Sequence, residues 1–215
     1  AGGQMLLRVW QAHTDTTFAL AFSPDGRSLV SGSWDGTIKQ WDLESGALLW
    51  SGWHTNGALS VDFAADGGLL ASGGNDATVQ LWDRQSGTPL QTLSHPSPIL
   101  SVAWSPDGRL LASGSFDGCI RLWERQNWTC VAILAGHTNR VRGLAFALDG
   151  STLASASWDG TVKLWDVESQ GLRQTLTGHT DRVNKVARNA SEGYISLRIP
   201  WGDPPGLLCS SVIIG

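Results

Sequence analysis

The sequence predicts an all-β protein assembled from a repeated four-stranded unit, and three observations carry that expectation. Five histidines, His13, His54, His95, His137 and His179, recur at intervals of 41 or 42 residues. Four tryptophans, Trp41, Trp82, Trp123 and Trp165, each follow a histidine by 28 residues and precede an acid, Asp42, Asp83, Glu124 or Asp166. Between these markers short apolar runs alternate with turn chemistry. Residues 19–50, ALAFSPDGRSLVSGSWDGTIKQWDLESGALLW, read as strand, S-P-D-G turn, strand, W-D-G turn, strand, E-S-G turn, strand.

Starting each unit at its histidine gives four complete repeats, 13–53, 54–94, 95–136 and 137–178. Each carries a serine 18 residues on (Ser31, Ser72, Ser113, Ser155) and an aspartate 22 residues on (Asp35, Asp76, Asp117, Asp159). A period of about 40 to 45 residues with four strands and a Trp-Asp ending resembles the WD40 family, whose repeats form the blades of a β-propeller. The resemblance implies a WD40-type β-propeller with four complete four-stranded blades and one degenerate or incomplete blade. It covers residues 1 to about 187. A Gly-His pair survives only at Gly136-His137 and Gly178-His179, while Ala12, Trp53 and Ser94 precede the other histidines.

The two ends depart from the repeat in different ways. Residues 1–12 align with the last turn and strand of a unit, a lone fourth strand of the kind that closes a ring in the resembling family. Residues 179–215 read as a degenerate or truncated fifth repeat, because the offsets from His179 land on Leu197, Trp201 and Leu207. Three outcomes follow: a five-bladed ring closed by strand 4–10, an open arc, or a homodimer joined through exposed blade edges. The abrupt loss of pattern is also what a truncated or frameshifted fragment of a larger WD40 signalling protein would show.

Composition narrows the function. A net charge of −4 supplies no basic field for nucleic acid, and no apolar run reaches the roughly 18 residues of a membrane span. Cys119, Cys130 and Cys209 are odd in number and lack metal spacing, which fits a reducing, cytoplasmic setting. No phosphate-binding glycine loop occurs, so no cofactor is expected.

His, Ser and Asp together are the residue types of a hydrolase triad, yet the set recurs four times where an enzyme needs one. A buried network accounts for it: carboxylate to imidazole, imidazole to hydroxyl, hydroxyl to indole. The resemblance implies that structural tetrad at His13/Ser31/Asp35/Trp41, His54/Ser72/Asp76/Trp82, His95/Ser113/Asp117/Trp123 and His137/Ser155/Asp159/Trp165. No catalytic residue and no metal ligand is expected.

The position before each tetrad aspartate varies: Trp34, Asn75, Phe116, Trp158. In the resembling family this position and the one five residues after the histidine line a top-face opening that binds peptides. The latter are Phe18, Leu59, Leu100 and Arg142, with Asn184 in the failing unit. A second cluster, Arg140, Arg142 and Arg182, reads first as solvated surface charge, with recognition of acidic or phosphorylated groups as the alternative. Trp10, Trp50, Trp53, Trp104 and Trp128 have sufficient roles in strand packing. The expected function is a non-enzymatic scaffold or sensor binding a protein or peptide partner through Trp34, Phe116, Trp158, Phe18, Leu59, Leu100 and Arg142. A carbohydrate-binding propeller, stacking sugars on the exposed tryptophans, is the other reading.

Overall fold

The computed structural model describes residues 11–188, 195–198 and 211–212. Residues 1–10, which hold most of the expected lone strand, lie outside them. Four antiparallel sheets follow the four repeats in chain order. The first contains β1 (Thr17–Phe22), β2 (Ser28–Ser33), β3 (Thr37–Asp42) and β4 (Leu48–Trp53). The second contains β5 (Ala58–Phe63), β6 (Leu69–Gly74), β7 (Thr78–Asp83) and β8 (Pro89–Ser94). The third has β9 (Ile99–Trp104), β10 (Leu110–Ser115), β11 (Ile120–Glu124) and β12 (Thr129–Leu134). The fourth has β13 (Val141–Phe146), β14 (Thr152–Ser157), β15 (Val162–Asp166) and β16 (Leu172–Leu176).

The degenerate repeat forms a smaller sheet of β17 (Lys185–Arg188), β18 (Ile195–Arg198) and β19 (Ser211–Val212). Its registers pair Val186 with Leu197 and Ile195 with Val212.

Turn chemistry sets these hairpins. In each S-P-D-G-type turn an aspartate accepts the backbone N–H two residues on, as Asp25 does from Arg27 at 3.0 Å. The W-D-G turn needs a left-handed residue, which Gly36, Gly118 and Gly160 supply at φ 86°, 83° and 80°. The second blade puts Ala77 there at φ 60°, where a Cβ is strained. Ala77→Gly should therefore raise the unfolding free energy by about 0.5–1 kcal/mol, read from urea unfolding.

Blades join by packing the innermost strand of one against the middle strands of the blade before it. Val61 and Phe63 share a core with Val30 and Ile38; Ile99, Val102 and Trp104 share one with Ala71, Val79 and Leu81. Val141, Leu144 and Phe146 do the same with Ala112, Ile120 and Leu122. Burying each such side chain contributes about 1.5–3 kcal/mol. The approach is close: a Cβ on Gly73 would lie 2.5 Å from Ile99, and one on Gly114 2.7 Å from Val141.

Polar side chains also stitch neighbouring inner strands. Val102 N–H donates to Ser60 Oγ (3.0 Å), Trp104 N–H to Asp62 Oδ2 (2.7 Å) and Leu144 N–H to Ser101 Oγ (3.1 Å). These bonds satisfy donors at the edge of each inner strand. Ala19 and Ala21 occupy the corresponding places in the first blade and have no acceptor to offer. Beneath, Arg84 bridges to Asp25 and Arg125 to Asp66, both at 2.7 Å, and each pair links successive blades.

The described sheets form an open arc and not a closed ring. Leu59, Val61 and Phe63 are 7%, 8% and 6% exposed, whereas their counterparts Phe18, Leu20 and Phe22 are 46%, 63% and 67% exposed. The difference is positional: the first blade covers the face of β5, and no described blade covers that face of β1. The inner strands line a channel of about 730 Å³.

Candidate functional site

Three repeats build the same polar network below the channel mouth. In the second, His54 Nδ1 lies 3.0 Å from Asp76, His54 Nε2 lies 2.8 Å from Ser72 Oγ, and Trp82 Nε1–H donates to Ser72 at 2.8 Å. The corresponding distances are 3.2, 2.7 and 3.0 Å around His13, and 2.7, 2.7 and 2.8 Å around His137. Each aspartate also accepts from a threonine hydroxyl in its own turn and from the backbone N–H that follows the histidine, as Asp76 does from Thr78 and Thr55.

Burial alone would raise the Asp76 carboxyl, but the bonds from His54, Thr78 and Thr55 outweigh it and hold the pKa at about 2. Burial pushes the His13 and His137 imidazoles below their usual value, against the raising pull of Asp35 and Asp159. A neutral imidazole then donates from Nδ1 to the carboxylate and accepts from serine at Nε2. Ser31, Ser72 and Ser155 are buried and already accept an indole N–H, so each serine is engaged within its network. Among the described residues no three metal-ligating side chains converge.

The third blade departs from the tetrad expected at His95, Ser113, Asp117 and Trp123. Trp123 still donates to Ser113 at 2.8 Å and His95 Nε2 lies 3.3 Å from Ser113, but buried His95 Nδ1 has no hydrogen-bond partner. Asp117 instead pairs with Arg121 at 3.2 Å and accepts from Ser115 and from Cys119 N–H. Two substitutions explain the change. Pro96 stands where Thr14, Thr55 and Thr138 supply a backbone N–H, and Cys119 stands where Thr37, Thr78 and Thr161 supply a hydroxyl. Deprived of both donors, the carboxylate turns to the nearby guanidinium.

Phe18, Leu59, Leu100, Arg142 and Asn184 all line the channel, one from each unit. The structure separates them by exposure: Phe18 is exposed, Arg142 and Asn184 are half-buried, and Leu59 and Leu100 are buried. The two leucines therefore present little surface to a partner, because the preceding blade covers them.

The variable turn residues lie beside the same opening. Trp34 is 44% exposed, with its ring 5.7 Å from that of Phe18 and resting over Gly57, where a Cβ would sit 3.1 Å away. Phe116 is 45% exposed. Trp158 is half-buried, and its indole N–H donates to Asn184 Oδ1 at 2.5 Å. Arg140 lies between two rings, its guanidinium carbon 3.8 Å from the centre of Phe116 and 4.0 Å from that of Trp158; Arg182 follows at 4.2 Å from Trp158. Cation–π contact thus orders two members of the second arginine cluster, Arg140 and Arg182, into a column with the aromatics.

Trp53 differs from the packing role expected of it: it ends β4 and is 73% exposed. Its place immediately before His54, where other repeats have Gly, Ala or Ser, was the available signal.

Comparison with known proteins agrees with this geometry. Residues 4–42, 49–83, 87–124 and 128–166 each match the WD domain, G-beta repeat. A stretch of the chain is 45% identical to Periodic tryptophan protein 2 of Saccharomyces cerevisiae, over 22% of this chain and 6% of that protein. Another comparison gives 41% identity to Protein groucho of Drosophila melanogaster, over 21% of this chain and 6% of that protein. The chain therefore matches only a small part of either relative's length. With four repeat matches spanning more than half of its length and three repeats holding the full polar tetrad, the chain belongs to the WD40 repeat family.

Proposed function

We propose that this chain is a protein-interaction scaffold that binds a peptide or partner segment over the channel mouth, through Trp34, Phe116, Phe18, Trp158 and Arg142. The observation carrying the reading is the exposure of Trp34 and Phe116 at turn positions whose neighbours Asp35 and Asp117 are held by structural contacts. Large aromatics on a rigid rim, with arginine among them, are the residue types from which binding hot spots are built. Family membership supports the same class of role, since stacked repeats provide extended, rigid binding surfaces.

The variant Trp34→Ala with Phe116→Ala tests the reading. Neither side chain is in the core, so the unfolding temperature should stay within a few degrees of the parent. Peptides selected from a displayed library on the parent protein should lose about tenfold or more in affinity, measured by fluorescence anisotropy. Unchanged affinity for every selected peptide would sink the proposal.

A further inference from the structure

We propose that Arg140, Arg142 and Arg182 form an oxyanion site at the channel mouth that recognises a phosphorylated side chain on the bound peptide. The proposal rests on the peptide-binding reading above and specifies its ligand.

The arginines of the described residues fall into contrasting groups. Arg84, Arg121, Arg125 and Arg173 each hold an aspartate within 3.2 Å. Exposed Arg27 and Arg109 sit in turns without an ion pair to a described residue. Arg140, Arg142 and Arg182 likewise have no carboxylate of a described residue within ion-pair distance, and none of their guanidinium groups donates a hydrogen bond to another described residue. The Nε atoms of Arg140 and Arg142 are buried without a partner. Nearby acids are already engaged. Asp117 is held by Arg121, Asp159 by His137, and Asp181 accepts the backbone N–H of Arg182.

The stacking prepares these groups for an oxyanion. Rings on both faces of Arg140 fix the plane of its guanidinium, and the remaining terminal N–H donors lie in that plane, which suits a two-pronged contact with phosphate oxygens. Trp158 places Arg182 on its other face, and Asn184 anchors the indole. Arg142 lines the channel itself, and burial and then the charge of Arg140 lower its affinity for its own proton. Two guanidiniums near enough to disfavour each other gain most from a dianionic group between them. A phosphate supplies that charge and three acceptor oxygens; a side-chain carboxylate supplies one charge. With a chain net charge of −4, the cluster is a local site and not part of a field for polyanions.

The test is a nuclear magnetic resonance titration with inorganic phosphate, followed by anisotropy with phosphoserine peptides and their unphosphorylated and glutamate counterparts. Phosphate should shift the Trp158 indole N–H signal, and phosphopeptides should bind about tenfold or more tightly than both counterparts. Arg142→Gln and Arg182→Gln should each remove most of that preference without changing the unfolding temperature. Equal affinity for the three peptide forms, lost on Trp34→Ala with Phe116→Ala, overturns the phosphate proposal and leaves the binding face standing. Phosphate binding that both arginine variants retain also overturns it. Peptide affinity indifferent to the aromatics and the arginines alike overturns both readings.

Discussion

Replacing Trp82 with alanine is expected to lower the unfolding free energy by about 4 kcal/mol, the largest effect of any single substitution considered for this chain. Trp82 is buried, stacked 6.0 Å from Trp50 at 23°, and packed in the core that joins the first two blades. Its ring also rests on Gly52, where a Cβ would come within 2.6 Å, so the surrounding backbone was shaped to this side chain. Truncation removes that contact and leaves Ser72 without its indole donor. Trp82→Phe separates the terms, since it keeps most of the area and loses the hydrogen bond, and it should cost about 1–2 kcal/mol. Urea unfolding measures both. A loss for Trp82→Ala no greater than that for exposed Trp34→Ala would contradict the packing account.

Acidification is expected to remove about 3 kcal/mol between pH 6.5 and 4, chiefly through His95. Burial and then the charge of Arg121 lower the His95 imidazole from 6.5 to about 4, and Asp117, turned away, restores little of it. Over that interval the unfolded chain takes up the proton and the folded chain does not. Stability is therefore complete above about pH 6.5 and declines as pH falls towards 4. His13 and His137 are lowered in the same direction and add to the decline. Asp76 acts in a later window: its carboxylate, held at about 2, loses its contribution as pH falls from 3.8 towards that value.

Pro96→Thr with Cys119→Thr returns to Asp117 the two donors that its counterparts enjoy. The double variant should gain about 1–2 kcal/mol at pH 7 and lose less between pH 6.5 and 4. Unfolding curves collected across that range decide it; an unchanged pH slope would show that His95 is not the sensitive group.

The repeat was legible because its determinants are local or periodic. Asp-Gly at a hairpin demands left-handed backbone, alternating apolar residues demand a strand, and a histidine, serine, aspartate and tryptophan at constant spacing demand a common network. Those features foretold the four four-stranded sheets, and they distinguished Trp41, whose indole donates to Ser31, from exposed Trp34. The disrupted third blade was legible in part. Pro96 and Cys119 stand out when the units are aligned, although the consequence depends on Arg121 lying within reach of Asp117.

Other features arise only when blades meet. Leu59 and Phe18 occupy equivalent places in their repeats, yet one is buried and the other exposed, because among the described blades only Leu59 has one packed before it. Arg140 follows its histidine by three residues, as Gly57 does, but its position between Phe116 of one blade and Trp158 of the next appears in neither repeat alone. The sequence by itself determined the unit, its turns and its polar network, since each unit contains the groups that satisfy them. Tertiary structure decided which apolar faces are covered and which arginines pair with a described carboxylate, because burial and charge pairing at a blade junction depend on side chains supplied by two different repeats.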